Sequence, residues 1–536
     1  CGQQVKEEKP KEEKKPAAKQ PAAKPAAQAA NDALVTISEE TTFVTEPVRD
    51  DGYIDFLEAF NRHFSQGITT GNNAAVLFWK AFGPPEFDGA ALEEFYRRLG
   101  IEPLPKTGDY FESLDEFVDG LPPAEQQAFN KQYDPEDEDN AASVAIDLVQ
   151  EKPWTAEQHP LVARWLERNG KPLDTFVQGT TRPRYYSPFV AGDAAPQMIS
   201  VLLPDLMHAR DLARALRARA MLRLGSGEAE AALGDTFAVH RTGRLLSDSG
   251  ATVITSLVGI AINDMACHTS HTAAHSGRVS AEQIAAHRKR LAEFGPWSSM
   301  AEALNWGERL MFIDAVCMVA REGPEAMGSL TGGDQDWLST KFAEWITRTS
   351  IDWDRVLRMG NKMYDKLVGA ARTESLEERR DLIDAYMQQV DEMASRVKDR
   401  SYYYKLLLGE KSIRGVITRQ VGGIFVALLL PALDAALSRQ DEADVIMDLT
   451  AVSLALASYH QQEGSYPPSL STLVEAKLLG KLPEDRFSGK PLIYRPADGG
   501  FRLYSAGANG QDDDGRPRWD DEQPGDDILL QVEAGQ

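Results

Sequence analysis

The sequence predicts a mainly α-helical body followed by a small α+β unit at the C-terminal end. Two patterns and one bound support this. From Asp205 to Gly323, Leu and Ala recur every three or four residues between short Gly and Ser turns. That spacing belongs to antiparallel pairs of amphipathic helices. Beyond Gly464 the period changes: the apolar segments "PLIYRP" and "GFRLYSAG" flank "ADGG", the turn chemistry of a hairpin. The bound is size. With 536 residues, 42% of them hydrophobic, the chain can bury a substantial core in two to four domains.

Residues 1–33 read as a tether. The Lys/Glu/Pro/Ala run carries almost no side chain above alanine in apolar size and cannot build a core. Its prolines favour extended backbone at roughly 3 Å per residue, a reach of roughly 90 Å. A chain opening on "CGQQ" resembles a mature bacterial lipoprotein. The resemblance implies lipidation of Cys1 and anchoring through that lipid. Gly2 in place of an aspartate implies the outer membrane, facing the periplasm or the cell surface. The net charge of -24 disfavours nucleic acid as a partner.

Residues 34–200 form a second, mostly helical region. Gly67, Gly83 and Gly100 follow apolar-periodic segments as C-terminal stops. The segment "TTRPRYYSPFV" reads either as a recognition loop or as a packed crossover. Residues 201–410 carry the helical pairs and form the third region, tetratricopeptide-like or irregular. No 34-residue period is present. Such a body offers a surface for a protein partner.

Within that region, "CHTSHTAAH" places Cys267, His268, His271 and His275 at three- and four-residue spacings, which share a helix face. Two readings stand. The group can supply N and S ligands to zinc, with Glu308 or Asp314 as a further ligand and Asp264 one turn away. Alternatively it is a solvated histidine-rich helix end with a packed cysteine. The nucleotide-binding glycine motifs, the GxSxG elbow and CxxC pairs are all missing from the sequence. A metal-dependent hydrolase therefore stands only on this cluster.

Residues 411–536 begin with the apolar run Val421–Leu433, 13 residues long, which falls short of the roughly 20 a membrane span needs. A buried helix is expected. A helix to His460, a proline-led short helix, the hairpin, an acidic loop and a last strand "DDILLQV" follow. Eight carboxylates lie between residues 512 and 527.

This last unit resembles the type IV pilin-like fold, specifically the major pseudopilin of type II secretion. "IFVALLLPALDAAL" looks like the hydrophobic pilin helix. "YPPSLSTLVE", "LPEDRFSGKPLIYR", "GFRLYSAGANG" and the final "DDI" look like the globular half, in order. The helical architecture before it resembles secreted lipoproteins of planctomycetes through "AVLFWKAFGP", "RPRYYSPFV" and "ARAMLRLGSGEAEAAL". The pseudopilin resemblance implies calcium in the loop before the last strand. Its ligands would be carbonyls at Leu503 and Ser505, Asn509 in place of a carboxylate, and Asp526 and Asp527. The loop is enlarged by "DDDGRPRWDDEQPG", and a mobile acidic loop is the competing reading. The pilin-like helix lies some 415 residues into the chain, so assembly through an exposed N-terminal helix is not expected. The functional expectation is a lipid-anchored structural or protein-binding protein of the cell envelope. The alternative is an accessory component of a type II-like secretion or pilus system.

Overall fold

The computed structural model describes residues 33–87, 89–134, 140–192, 197–201, 203–323, 326, 351–398, 413–429, 433–517 and 524–533. The tether and Cys1 lie outside the described residues, as do residues 518–523 of the acidic loop.

The fold is mainly helical, with one three-stranded antiparallel sheet near the C-terminus. A run of short helices spans Phe56 to Thr180. Their starts are set by side-chain caps: Asp55 accepts from the Glu58 amide and Asn73 from the Ala75 amide. The glycines expected as stops, Gly67, Gly83 and Gly100, all sit at positive φ. The "TTRPRYYSPFV" segment is a packed crossover. Tyr185, Tyr186, Phe189 and Val190 are buried, and Tyr186 donates its hydroxyl to Asn61 Oδ1.

The helices that position the candidate sites are labelled in chain order. They are α1 (Gly170–Thr180), α2 (Pro204–Gly225), α3 (Ala229–Asp248), α4 (Val253–His275) and α5 (Ala281–Ala292). After these come α6 (Trp353–Arg372), α7 (Leu376–Lys398), α8 (Ile413–Leu429) and α9 (Leu433–Glu463). Helices α2, α3 and α4 pack in sequence, as short Gly/Ser turns dictate, whereas α5 packs on α9 and on α3. The α3–α4 contact is the tightest. A Cβ on Gly243 would stand 2.5 Å from the Gly259 carbonyl oxygen, and the reverse holds.

Among the described residues the apolar interior falls into three clusters, and they do not follow the sequence boundaries at 200 and 410. The first joins residues from Ala74 to Leu291, with Leu454 and Ala457. The second joins Val35–Phe60 to Trp297–Ile313, to α6 and α7, and on to Ala443. The third is the C-terminal unit with the second half of α9, and it includes Cys267. Chain ends separated in sequence share cores because helices α8 and α9 return across the body.

Helix α8 packs on α6 and α7. Val421, Ile424 and Phe425 are buried among them. The side chains of residues 426–429 and all of residues 430–432 lie outside the description. Among the described residues, no helix is long and apolar enough to cross a membrane. Cys267 and Cys317 are both free thiols, each buried in a different cluster. Burial pushes both far above the usual thiol range.

The sheet runs β1 (Ile493–Ala497), β2 (Gly500–Ser505) and β3 (Ile528–Val532), with β2 central. Tyr494 pairs with Leu503, and Leu503 with Leu530. The Asp498–Gly499 turn makes the β1–β2 hairpin, and the acidic loop connects β2 to β3. The sheet packs on the second half of α9, and β3 also touches α4.

Candidate metal centre and the histidine contact beside it

The acidic loop leaves β2 through a turn at Ala506–Gly510. Gly507 has φ +62°, and a Cβ there would stand 2.0 Å from the Asp526 carbonyl oxygen and 2.5 Å from its Oδ1. Only glycine lets the two ends of the loop approach this closely. The described ends then pair: Asp527 donates its amide to the Arg516 carbonyl and Gly525 to that of Pro517.

The acids of the loop divide into two sets. Asp512 accepts from the Tyr504 hydroxyl at 2.9 Å and meets Arg495 at 2.9 Å. Asp514 meets the other guanidinium nitrogen of Arg495 at 2.8 Å. Asp513 lies between them in sequence and joins the other set. Asp513, Asp526 and Asp527 place carboxylate oxygens within 4.8 Å of one another.

The triad is held by backbone amides. Asp527 Oδ2 accepts from Gly515 N at 2.6 Å and Asp513 N at 3.1 Å. Asp513 Oδ2 accepts from Asp526 N at 3.2 Å and from Asn509 Nδ2 at 3.0 Å. Asp526 Oδ2 accepts from Asn509 N at 2.9 Å. The other oxygens, Asp526 Oδ1 and Asp527 Oδ1, are buried without a hydrogen-bond partner. Asp527 is 2% exposed. Desolvation pushes its carboxyl up to about 6, and the neighbouring Asp513 and Asp512 carboxylates push the same way.

An orphaned, buried carboxylate oxygen is costly unless something cationic meets it. Three carboxylates supply up to six oxygens, a hard donor set that fits calcium and leaves room for water or a carbonyl. Asp513, Asp526 and Asp527 would hold the ion, whose charge would offset the repulsion within the triad.

Of the residues expected as ligands, the structure brings Asp526 and Asp527 together. Asn509 is adjacent, but its Oδ1 accepts from Gln511 N at 2.6 Å and its amide supports Asp513. Leu503 is buried within β2, with both neighbouring strands in register beside it. Ser505 pairs with Ile528 and donates its hydroxyl to Asp485 Oδ1 at 2.6 Å. Asp513 was missed by the sequence reading. Its signal is the alternation of Asp512, Asp513 and Asp514 along a short non-helical run, which sends the middle side chain to the opposite side.

At the histidine-rich end of α4 the cysteine is packed and one histidine is solvated, but the other two histidines are not. His268 is exposed, while His271 and His275 are half-buried against the C-terminal unit. His271 Nε2 contacts the Gln531 carbonyl of β3 at 2.9 Å, and its Nδ1 contacts Ser453 Oγ at 2.7 Å. His275 Nε2 contacts the same hydroxyl at 3.0 Å, and its Nδ1 contacts the Tyr466 hydroxyl at 2.9 Å.

For neutral rings the carbonyl fixes every proton in this chain. His271 must donate from Nε2 to Gln531, so its Nδ1 accepts from Ser453. The Ser453 oxygen then accepts from His275 Nε2, and His275 Nδ1 accepts from Tyr466. Both nitrogens of each imidazole are therefore engaged in joining the body to the C-terminal unit. Desolvation holds both histidines below the usual imidazole range. Cys267 packs beside Met447, with Asn263 Nδ2 at 3.4 Å from its sulfur. The further residues considered for that metal reading lie in other roles. Glu308 accepts from Val253 N, and Asp314 from Met198 N.

No protein-family model, curated protein or solved structure matches the chain.

Proposed function

We propose that this chain is a structural, protein-binding protein of the cell envelope whose pilin-like C-terminal module is braced by one calcium ion. The observation that carries the calcium reading is the pair of buried, partnerless oxygens on Asp526 and Asp527, beside Asp513. The ion would close the loop that delivers β3 to its place in the sheet. The envelope setting rests on the resemblance of the module, and weak calcium sites of this donor type suit the millimolar calcium found outside cells. The docked state of α8 supports a fixed module over one that assembles through an exposed apolar helix. The tetratricopeptide-like body would present the partner-binding surface.

The test is thermal unfolding of the full chain in calcium, magnesium and chelator, for the parent and for Asp526→Asn/Asp527→Asn. The parent should melt higher in calcium than in chelator, with magnesium giving little of the gain because it demands a small octahedral site. The variant should melt at one temperature in all three. Equal melting of the parent in calcium and chelator would remove the metal from the account.

A further inference from the structure

A cavity of about 650 Å³ opens among α1, α2, α3 and α5, away from the acidic loop. That volume suits a small organic ligand. Four arginines line it, Arg219, Arg223, Arg241 and Arg290, against three acids, Asp174, Asp235 and Glu293. On a chain of net charge -24, a cavity with excess positive charge runs against the general composition.

Two of the arginines are committed. Arg219 makes a two-pronged contact with Asp235 at 2.9 and 2.7 Å and reaches Asp174 at 2.8 Å. Arg223 meets the same Asp235 at 2.6 Å. The other two have no ion pair with a described residue. Arg241 touches only neutral carbonyls, those of Thr180 and Arg182, each at 3.3 Å. Arg290 lies over the Phe237 ring at 3.7 Å, and Phe237 stacks on Phe294 at 5.3 Å. Two guanidinium groups with no direct ion pair to a described residue thus stand beside an aromatic wall.

Gly234 supplies an independent observation. It sits inside α3 and lines this cavity, and a Cβ there would meet nothing within 4 Å. Glycine inside a helix costs about 1 kcal/mol relative to alanine. Gly243 on the same helix is required by the backbone of α4, whereas no packing contact requires Gly234. The space beside it belongs to the cavity.

From the unpaired arginines, the aromatic wall and the open glycine, we infer that this cavity binds a small organic oxyanion with a ring or other apolar body. Arg241 and Arg290 hold the anionic end, since a guanidinium fork matches a carboxylate or phosphate. Phe237 packs against the apolar part. The inference does not depend on the calcium reading.

The test is isothermal titration of the full chain with phenyl phosphate, benzoate and inorganic phosphate. At least one aromatic anion should bind more tightly than inorganic phosphate. Preference for phenyl phosphate assigns phosphate esters, and preference for benzoate assigns carboxylates. Arg241→Gln should weaken that binding tenfold or more, and Arg290→Gln, at an exposed position, severalfold. Gly234→Leu should abolish it by filling the space, while Gly234→Ala should melt no lower than the parent. Absence of binding by all three probes, or affinity unchanged in both arginine variants, would overturn the assignment.

Discussion

Two regions of the molecule bury aspartate, and they settle its charge in different ways. In the helical body, Asp235 is met by Arg219 and Arg223, so the carboxylate is neutralised within the chain. In the C-terminal loop, Asp527 is as deeply buried, yet among the described residues its charge is met only by backbone amides and one oxygen has no partner. Arg495 is taken by Asp512 and Asp514, while Arg502 and Arg516 bond to the carbonyls of Gly515 and Asp513. A buried charge that the chain itself neutralises is complete. One that is left over calls for a counter-ion from outside.

The largest effect should follow from breaking the complete case. Asp235→Ala leaves Arg219 buried without its main counter-charge and should cost about 3–5 kcal/mol in denaturant unfolding. A cost below ~1 kcal/mol would show that the pair is not as buried as described.

Asp527→Asn should do the reverse in chelator. The folded carboxyl lies near 6, above its unfolded value of 3.8. Folding therefore favours the protonated form, so the penalty is present above pH 6 and disappears as the pH falls towards 3.8. The variant should melt higher than the parent in chelator at pH 7, and the difference should shrink by pH 4. Calcium at a hundredfold excess over the parent's Kd should stabilise the parent by about 2.7 kcal/mol and the variant by about 1.4 kcal/mol at most. A variant that melts lower than the parent in chelator would mean that the acid is already compensated.

The histidine contact gives a third, smaller effect of opposite pH sign. His271 and His275 are held below the unfolded imidazole value of about 6.5. Their contribution is present above that value and is lost as the pH falls below it, towards the lowered folded values. His271→Ala should cost about 1–3 kcal/mol at pH 7 by leaving Ser453 and the Gln531 carbonyl short of a partner. It should also flatten the acid side of the stability curve measured in the Asp527→Asn background. An unaltered curve would detach the histidines from the pH response.

The smallest effect should come from Asp512→Asn. This acid faces Arg495 at the surface, where an ion pair contributes about 0–1 kcal/mol. Calcium affinity should change less than threefold, because Asp512 is outside the triad. A loss as large as that from Asp527→Asn would merge the two sets of acids.

Local patterning made much of this legible. The helical pairs, the Asp-Gly hairpin and the burial of Val421 follow from periodicity and turn chemistry over short windows. Asp526 and Asp527 were visible through the resemblance of the last strand. Asp513 was not, since eight acids in sixteen residues look alike until the backbone sorts them by side. The role of His271 and His275 was hidden for a different reason. Their partners Ser453, Tyr466 and Gln531 lie 178 to 260 residues away, and nothing in a helical histidine spacing points to a carbonyl on a distant strand. The shared cores were hidden likewise, because they form through helices returning from the far end of the chain.

The most direct measurement is a calorimetric calcium titration of the full chain, first stripped of metal, beside Asp513→Asn, Asp526→Asn and Asp527→Asn. The account predicts one calcium per chain in the parent, with affinity reduced at least tenfold in each variant, Asp513→Asn included. No heat of binding in the parent, or a parent-like affinity in all three variants, would contradict it.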